Sequence, residues 1–243
     1  MSVSGGPNIV EDGLVLALDA TNTKSYPSSG TNWINLSDTS ISGSLVGGPT
    51  FDGANGGTLV FDGTNDEATL DRITEVTAFT SSSNYTISCW VYVNTSQNYS
   101  TYNYKNILTR RGRAVDDGRA GGGTNYNLVY QSSSASIGVS TANSVGQINF
   151  LLAPFETNKW NYVAAVYSWT TSLLTAYVNN QPTSTPLTIT GSIIGSEDLG
   201  IMQTQGISNN TAGKLSMIMI HNRALSPQEV LQNFNATRGR FGV

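Results

Sequence analysis

Residues 159–180 read KWNYVAAVYSWTTSLLTAYVNN, a stretch in which apolar side chains occupy both faces of an extended strand. Trp160, Tyr162, Ala164 and Val166 share one face and Asn161, Val163, Ala165 and Tyr167 the other, because strand side chains alternate with a period of two. A strand wet on one side would be polar there, so this one is expected to be covered on both faces or to lie at the centre of a packed sandwich. A polar connection, 168–172, leads to a second run in which Leu174, Ala176 and Val178 alternate with Thr175, Tyr177 and Asn179. Together the two runs predict a β-hairpin.

A second long strand is predicted at Tyr85–Val93 (YTISCWVYV), pairing beside that hairpin. Shorter runs at 14–19, 33–36, 44–46, 58–61, 67–70, 106–109, 126–130, 136–139 and 147–152 are separated by turn formers such as Gly47-Gly48-Pro49 and Asp62-Gly63. Residues 214–221, KLSMIMIH, predict a strand buried on both sides, with Leu215, Met217 and Met219 sharing a face. One helix follows. Ser226 is its N-cap, Pro227 suits the first helical position, and Glu229 completes a capping box. Leu225 and Val230 form a hydrophobic staple; Val230, Leu231 and Phe234 make the apolar face that docks on the strands, and Gly239 is the expected stop.

At 243 residues with no shift of composition to mark a linker, the expectation is a single domain, 1–243. Only 12% of residues are charged, which suits many short strands and tight turns. A net charge of −4 argues against nucleic-acid binding, which relies on clustered cations, and no apolar run approaches the length of a membrane span. Cys89 is the lone cysteine and falls inside a strand pattern, so it is read as a buried, inert thiol. The opening residues lack a basic segment followed by an apolar one, so synthesis and folding in a reducing cytoplasm are expected.

Four blocks in sequence order carry a resemblance: LVFDGTND (59–66), TISCWVYV (86–93), WNYVAAVYS with TAYVNNQ (160–181), and GKLSMIMIHNRALSPQEV (213–230). They resemble laminin-G-like jelly rolls of the concanavalin A-like lectin/glucanase superfamily. That resemblance implies an all-β fold, an antiparallel two-sheet jelly-roll sandwich of six or seven strands per sheet with one short C-terminal helix. The opening GLVLALDATNTKSYPSSGTNWINLS and the ending ALSPQEVLQNFNATRGRFGV are similar to the ends of laminin-G-like proteins of tailed bacteriophages. This narrower likeness implies a virion component, such as a capsid decoration or other exterior accessory protein. Its partners would be major capsid or tail proteins, or further copies of the chain. The alternative is a carbohydrate-binding adhesion module, a tail fibre or appendage tip, recognising host surface glycans.

Glycanases of that superfamily cleave with paired carboxylates on one strand, and no Glu-x-Asp-x-x-Glu arrangement occurs in this chain. Asp66-Glu67, Asp116-Asp117 and Glu197-Asp198 are adjacent residues, which point apart on extended backbone. With a single histidine, His221, no enzyme and no cofactor are expected. Asp62, Asn65 and Asp66 offer three oxygen ligands to calcium, yet the same residues are ordinary turn formers that bond their own backbone. Some relatives carry an acid where this chain has Ser216; no metal is expected. The candidate contact surface is the loop segment 98–123, with Tyr99, Tyr102, Tyr104, Arg110, Arg111, Arg113 and Arg119. Tyr and Arg anchor interfaces by combining large area with directional hydrogen bonds, and the same rings stack on sugars. A solvated loop in which Asp116 and Asp117 neutralise the arginines is the competing reading.

Overall fold

The alternating runs assemble into two antiparallel sheets whose apolar inner faces meet. The computed structural model describes residues 7–70, 83–95, 104–110, 126–131, 136–142, 148–183, 185–188, 199–203 and 210–243. In chain order the strands are β1 (Leu14–Asp19), β2 (Asn32–Ile34), β3 (Ser42–Val46), β4 (Thr50–Asp52), β5 (Thr58–Asp62), β6 (Glu67–Leu70), β7 (Tyr85–Val93), β8 (Tyr104–Arg110) and β9 (Tyr126–Gln131). They continue with β10 (Ser136–Ala142), β11 (Ile148–Pro154), β12 (Trp160–Ser168), β13 (Leu173–Val178), β14 (Gln181–Pro182), β15 (Leu187–Thr188), β16 (Leu199–Ile201) and β17 (Ala212–His221). The helix α1 spans Pro227–Thr237.

Among the described residues the first sheet has nine strands, ordered β14-β13-β12-β7-β17-β5-β4, with β1 also paired to β17 and β15 to β13. The second has eight, ordered β11-β10-β9-β8-β16-β6-β3-β2. Both exceed the expected six or seven because short strands add to them, β4, β14 and β15 in the first and β2 and β16 in the second, where two or three residues carry too little alternation to read. The hairpin β12–β13 and the pairing of β7 beside it stand as the alternation predicted.

The middle strands of the first sheet, β12, β7 and β17, are buried on both faces. Val163, Ala165 and Tyr167 of β12 join the core between the sheets, while Trp160, Tyr162, Ala164 and Val166 join a second core outside the sheet. That outer core is roofed by α1 and by both chain ends: Val10, Val230 and Phe241 lie in it beside Trp90. Trp90 is fully buried, donates from Nε1 to Thr237 Oγ1 at 2.7 Å, and stacks on Phe241 with ring centroids 4.2 Å apart. The roof needs a defined helix start, and the capping box supplies it. Ser226 Oγ accepts from Glu229 N, and a Glu229 carboxylate oxygen accepts from Ser226 N at 2.8 Å.

Three sequence readings are corrected. Leu215, Met217 and Met219 do not share a face: a bulge between Leu215 and Met217 puts Leu215 in the inner core with Ile218 and Ile220, and Met217 and Met219 in the outer one. The extra residue is Ser216, whose Oγ donates to the Gly57 carbonyl at 3.0 Å and whose carbonyl accepts from Ala20 N. It marks where β17 exchanges β5 for β1 as its neighbour. Leu231 is 38% exposed; the buried positions of α1 are Val230, Asn233 and Thr237, because Asn233 Oδ1 accepts from Val10 N at 2.7 Å and Thr237 serves Trp90. Finally, Gly239 does not stop α1, which ends at Thr237 and tightens into a 3-10 turn, Arg238–Arg240, that aims Phe241 inward.

Candidate functional site

Of the seven residues proposed from sequence, Tyr99, Tyr102, Arg111, Arg113 and Arg119 lie outside the described residues. Tyr104 and Arg110 are the first and last residues of β8, an interior strand of the second sheet, so that part of 98–123 is not loop. Six strand positions separate them, about 20 Å, so the two do not share one patch. The strand extends past the apolar run because its neighbours β9 and β16 pair with it to its end, a tertiary effect that Tyr104 and Arg110 do not signal locally.

The strands around β8 set out two adjacent rows. Leu45, Ala68, Ile201, Leu108, Leu128, Val139 and Leu151 are paired in one register line across seven strands. The first five are buried in the core. The neighbouring register line reads Asn32, Ser44, Thr69, Gly200, Thr109, Asn127, Ser140 and Phe150. Seven of its eight members are small and uncharged, and six bear a hydroxyl or amide. Ser44 and Asn32 are exposed and Thr69 is half-buried, whereas Gly200 and Thr109 are buried. A side chain at Gly200 would strike Gln203 Oε1, so glycine lets Gln203 lie across the strand. Its accessible members, Asn32, Ser44 and Thr69, offer neutral donors and acceptors beside the half-buried Glu67, the chemistry of contact with a polar surface.

A polar network pins this face. Glu67 accepts from Gln203 Nε2 at 2.8 Å and from Asn210 Nδ2 at 3.2 Å; the Asn210 carbonyl accepts from Lys105 Nζ at 3.3 Å, and Thr211 Oγ1 donates to the Asn106 carbonyl at 2.6 Å. Burial lowers the pKa of Lys105, which is 3% exposed.

The oxygen-rich turn at 62–66 bonds its own backbone. Asp62 Oδ1 accepts from Thr64 N at 2.7 Å, and Asp66 Oδ2 accepts from Asp62 N at 3.0 Å. Burial raises Asp66, with the Asp62 charge adding to it against the Asp62 N–H; at Asp62 the upward push of burial is outweighed by the N–H groups of Thr64, Asp66 and Asn65. Gly47 sits over this turn at φ +85°, where a Cβ would collide with the Asn65 carbonyl. Among the described residues no group of three or more His, Cys, Asp or Glu is placed to hold a metal ion. Other carboxylates are held by cations: Asp19 by Arg240 at 2.9 Å, Asp52 by Lys214 at 2.8 Å, and Glu229 and Asp12 by Arg223 at 2.7 and 2.8 Å. His221 is buried with Nε2 2.9 Å from the Val10 carbonyl, a packing position.

One further feature was visible in the sequence without being used. Trp169, 45% exposed, stands at the β12–β13 turn, where Gly, Asn, Asp or Ser is the usual occupant. The register rows, by contrast, depend on pairings between strands far apart in sequence and have no local signal.

A laminin-G-type family model, described as the concanavalin A-like lectin/glucanases superfamily, matches residues 62–231. No curated protein matches the sequence. Among solved structures, the binding domain of Paraclostridial Mosquitocidal Protein 1 is 14% identical, with a TM-score of 0.71 over 92% of this chain and 52% of that one. The botulinum neurotoxin serotype D binding domain is 11% identical, with a TM-score of 0.68 over 92% of this chain and 51% of that one. Trypanosoma rangeli sialidase, solved with sialic acid, is 13% identical, with a TM-score of 0.67 over 98% of this chain and 36% of that one. The chain thus spans about half of each toxin binding domain and about a third of the sialidase, and at such identities the likeness is one of fold. With two facing antiparallel sheets, a helix-roofed outer core and a family match from the end of β5 into α1, the chain belongs to the concanavalin A-like lectin/glucanases superfamily.

Proposed function

We propose that the chain is a non-catalytic binding module on the outside of a bacteriophage particle, attached to capsid or tail proteins by burial of complementary surface. The observation that carries the binding role is the accessible polar group Asn32, Ser44 and Thr69 on the second sheet, beside an apolar row and the Glu67–Asn210–Lys105 network. Placement on a particle rests on the likeness of the chain's ends to phage laminin-G-like proteins. Those ends are built into the body, since Arg240 pairs with Asp19 and its carbonyl accepts from Asn55 Nδ2. Catalysis is left out because two-carboxylate hydrolysis needs two acids facing each other across a bond, whereas Asp12, Asp19, Asp52 and Glu229 are taken up by ion pairs. Mass spectrometry of purified particles tests the proposal: the chain is expected in stoichiometric amount, and its absence from intact virions overturns it. Sustained release of reducing sugar by the purified protein would overturn the non-catalytic part.

A second reading, adhesion to host surface glycans, is favoured by the hydroxyl and amide side chains of Asn32, Ser44 and Thr69 and by the exposed Trp169. It is compatible with a virion location. Saturable binding on a glycan array supports it, and none on any glycan leaves attachment alone.

A further inference from the structure

We infer that the β12–β13 hairpin tip is a carbohydrate contact, in which the Trp169 indole stacks on one face of a neutral sugar ring and the hydroxyls around it complete the hydrogen bonding. This rests on the adhesion reading and adds to it the site and the ligand's charge.

Three observations meet at the tip. First, Trp169 is 45% exposed, while Trp33 and Trp90 are fully buried and Trp160 is 9% exposed, so its indole is left out of both cores. Second, the tip is held in place. Asn84 Oδ1 accepts from Trp169 N at 2.7 Å, Ser172 N donates to the Trp169 carbonyl at 3.1 Å, and Ser172 takes the left-handed φ of 54° that closes the turn. An aromatic ring on a fixed turn binds with little ordering cost. Third, the described residues next to it in the chain are uncharged and carry hydroxyls: Ser168 Oγ and Thr170 Oγ1 are 3.1 Å apart, Thr171 follows, and β7, β12 and β13 contain no Asp, Glu, Lys or Arg.

The combination selects a ligand class. A pyranose presents an apolar C–H face and a rim of hydroxyls, which an indole face and neutral donor-acceptors match. Phosphate or an anionic bilayer would be met by Lys or Arg, and a protein interface core would surround the tryptophan with further apolar side chains.

The other three tryptophans being buried, acrylamide quenching of native fluorescence reads Trp169. The full-length protein is titrated with neutral hexasaccharides of glucose, mannose, galactose and N-acetylglucosamine, following binding by calorimetry and quenching in parallel. At least one sugar is expected to bind saturably and to shield Trp169 from acrylamide. Trp169→Ala is expected to weaken that binding roughly tenfold and Trp169→Phe less, as stacking on a smaller ring predicts. Saturable binding that Trp169→Ala leaves intact overturns the tip as the site while the adhesion reading stands. No binding to any of the four sugars or on the glycan array overturns both. Shielding of Trp169 by phosphatidylcholine vesicles instead of sugar overturns the inference in favour of a bilayer.

Discussion

Residues close to the end of a sequence are commonly dispensable, but Phe241 is expected to behave as a core residue. It is 6% exposed, with its ring 4.2 Å from Trp90 and 4.8 Å from Trp160, centroid to centroid. Replacing a buried phenylalanine by alanine costs about 3–5 kcal/mol, of which each aromatic pair accounts for about 0.5–1.5 kcal/mol. The lower end applies because a tail can shift and admit water, so the vacated space is only partly a cavity. Phe241→Ala is therefore expected to lose about 3 kcal/mol, and a chain of this size changes Tm by about 2–4 °C per kcal/mol, giving a fall of roughly 6–12 °C. Urea and thermal unfolding followed by circular dichroism and tryptophan emission measure it, since Trp90 and Trp160 line the vacated position. Removal of Val243, 45% exposed, is the control and should change stability by less than about 0.5 kcal/mol. A Phe241→Ala protein as stable as that control would refute the idea that the tail closes the outer core.

His221 makes stability depend on pH. Burial, helped by the Arg223 charge and opposed by the Val10 carbonyl and the Glu229 and Asp12 carboxylates, holds its pKa below the ordinary value. Its contribution is full above about pH 6.5 and is lost as pH falls below that, where the unfolded chain takes up the proton first. His221→Gln, which keeps a donor for Val10 but cannot titrate, should flatten the slope of unfolding free energy between about pH 6.5 and 5; an unchanged slope counts against the buried neutral imidazole. Glu229 is held down to about 2, chiefly by its hydrogen bond from Arg223, so it stabilises above pH 4.5 and loses that effect toward pH 2; Glu229→Gln should remove this acid-range dependence in urea titrations. Ser226→Ala removes the cap of α1 and should cost about 1 kcal/mol by the same denaturation assay, and a loss below about 0.3 kcal/mol would mean the roof sets the helix start unaided. Burial pushes the Cys89 thiol up, so Ellman's reagent should react only after denaturation; rapid reaction of the native protein would contradict the inner core as described.

The sequence shows structure wherever one residue and its neighbours two or three positions away decide the outcome. The two faces of β12 and the Ser226–Glu229 cap are of that kind, and both were legible. Ser216 was not, because a bulge is set by which strands lie alongside: β17 leaves β5 for β1 at that residue, and alternation alone placed Leu215 with Met217. Leu231 misled for a related reason. The outer core takes Asn233 and Thr237 in its place because Val10 and Trp90 need hydrogen-bond partners there. At the candidate site, β8 was foreseen from its apolar centre, but the polar row crossing it depends on the pairing of eight strands, which no local window contains.

The position of β17 fixes when the protein can fold. It lies between β7 on one side and β5 and β1 on the other, and Leu14 meets its partner His221 only about two hundred residues later in the chain. At a synthesis rate of about 5–20 residues per second, β1 waits on the order of 10–40 s outside the ribosome with its edge unsatisfied. Closure of the first sheet therefore waits for the synthesis of β17, and until then nascent chains display open strand edges.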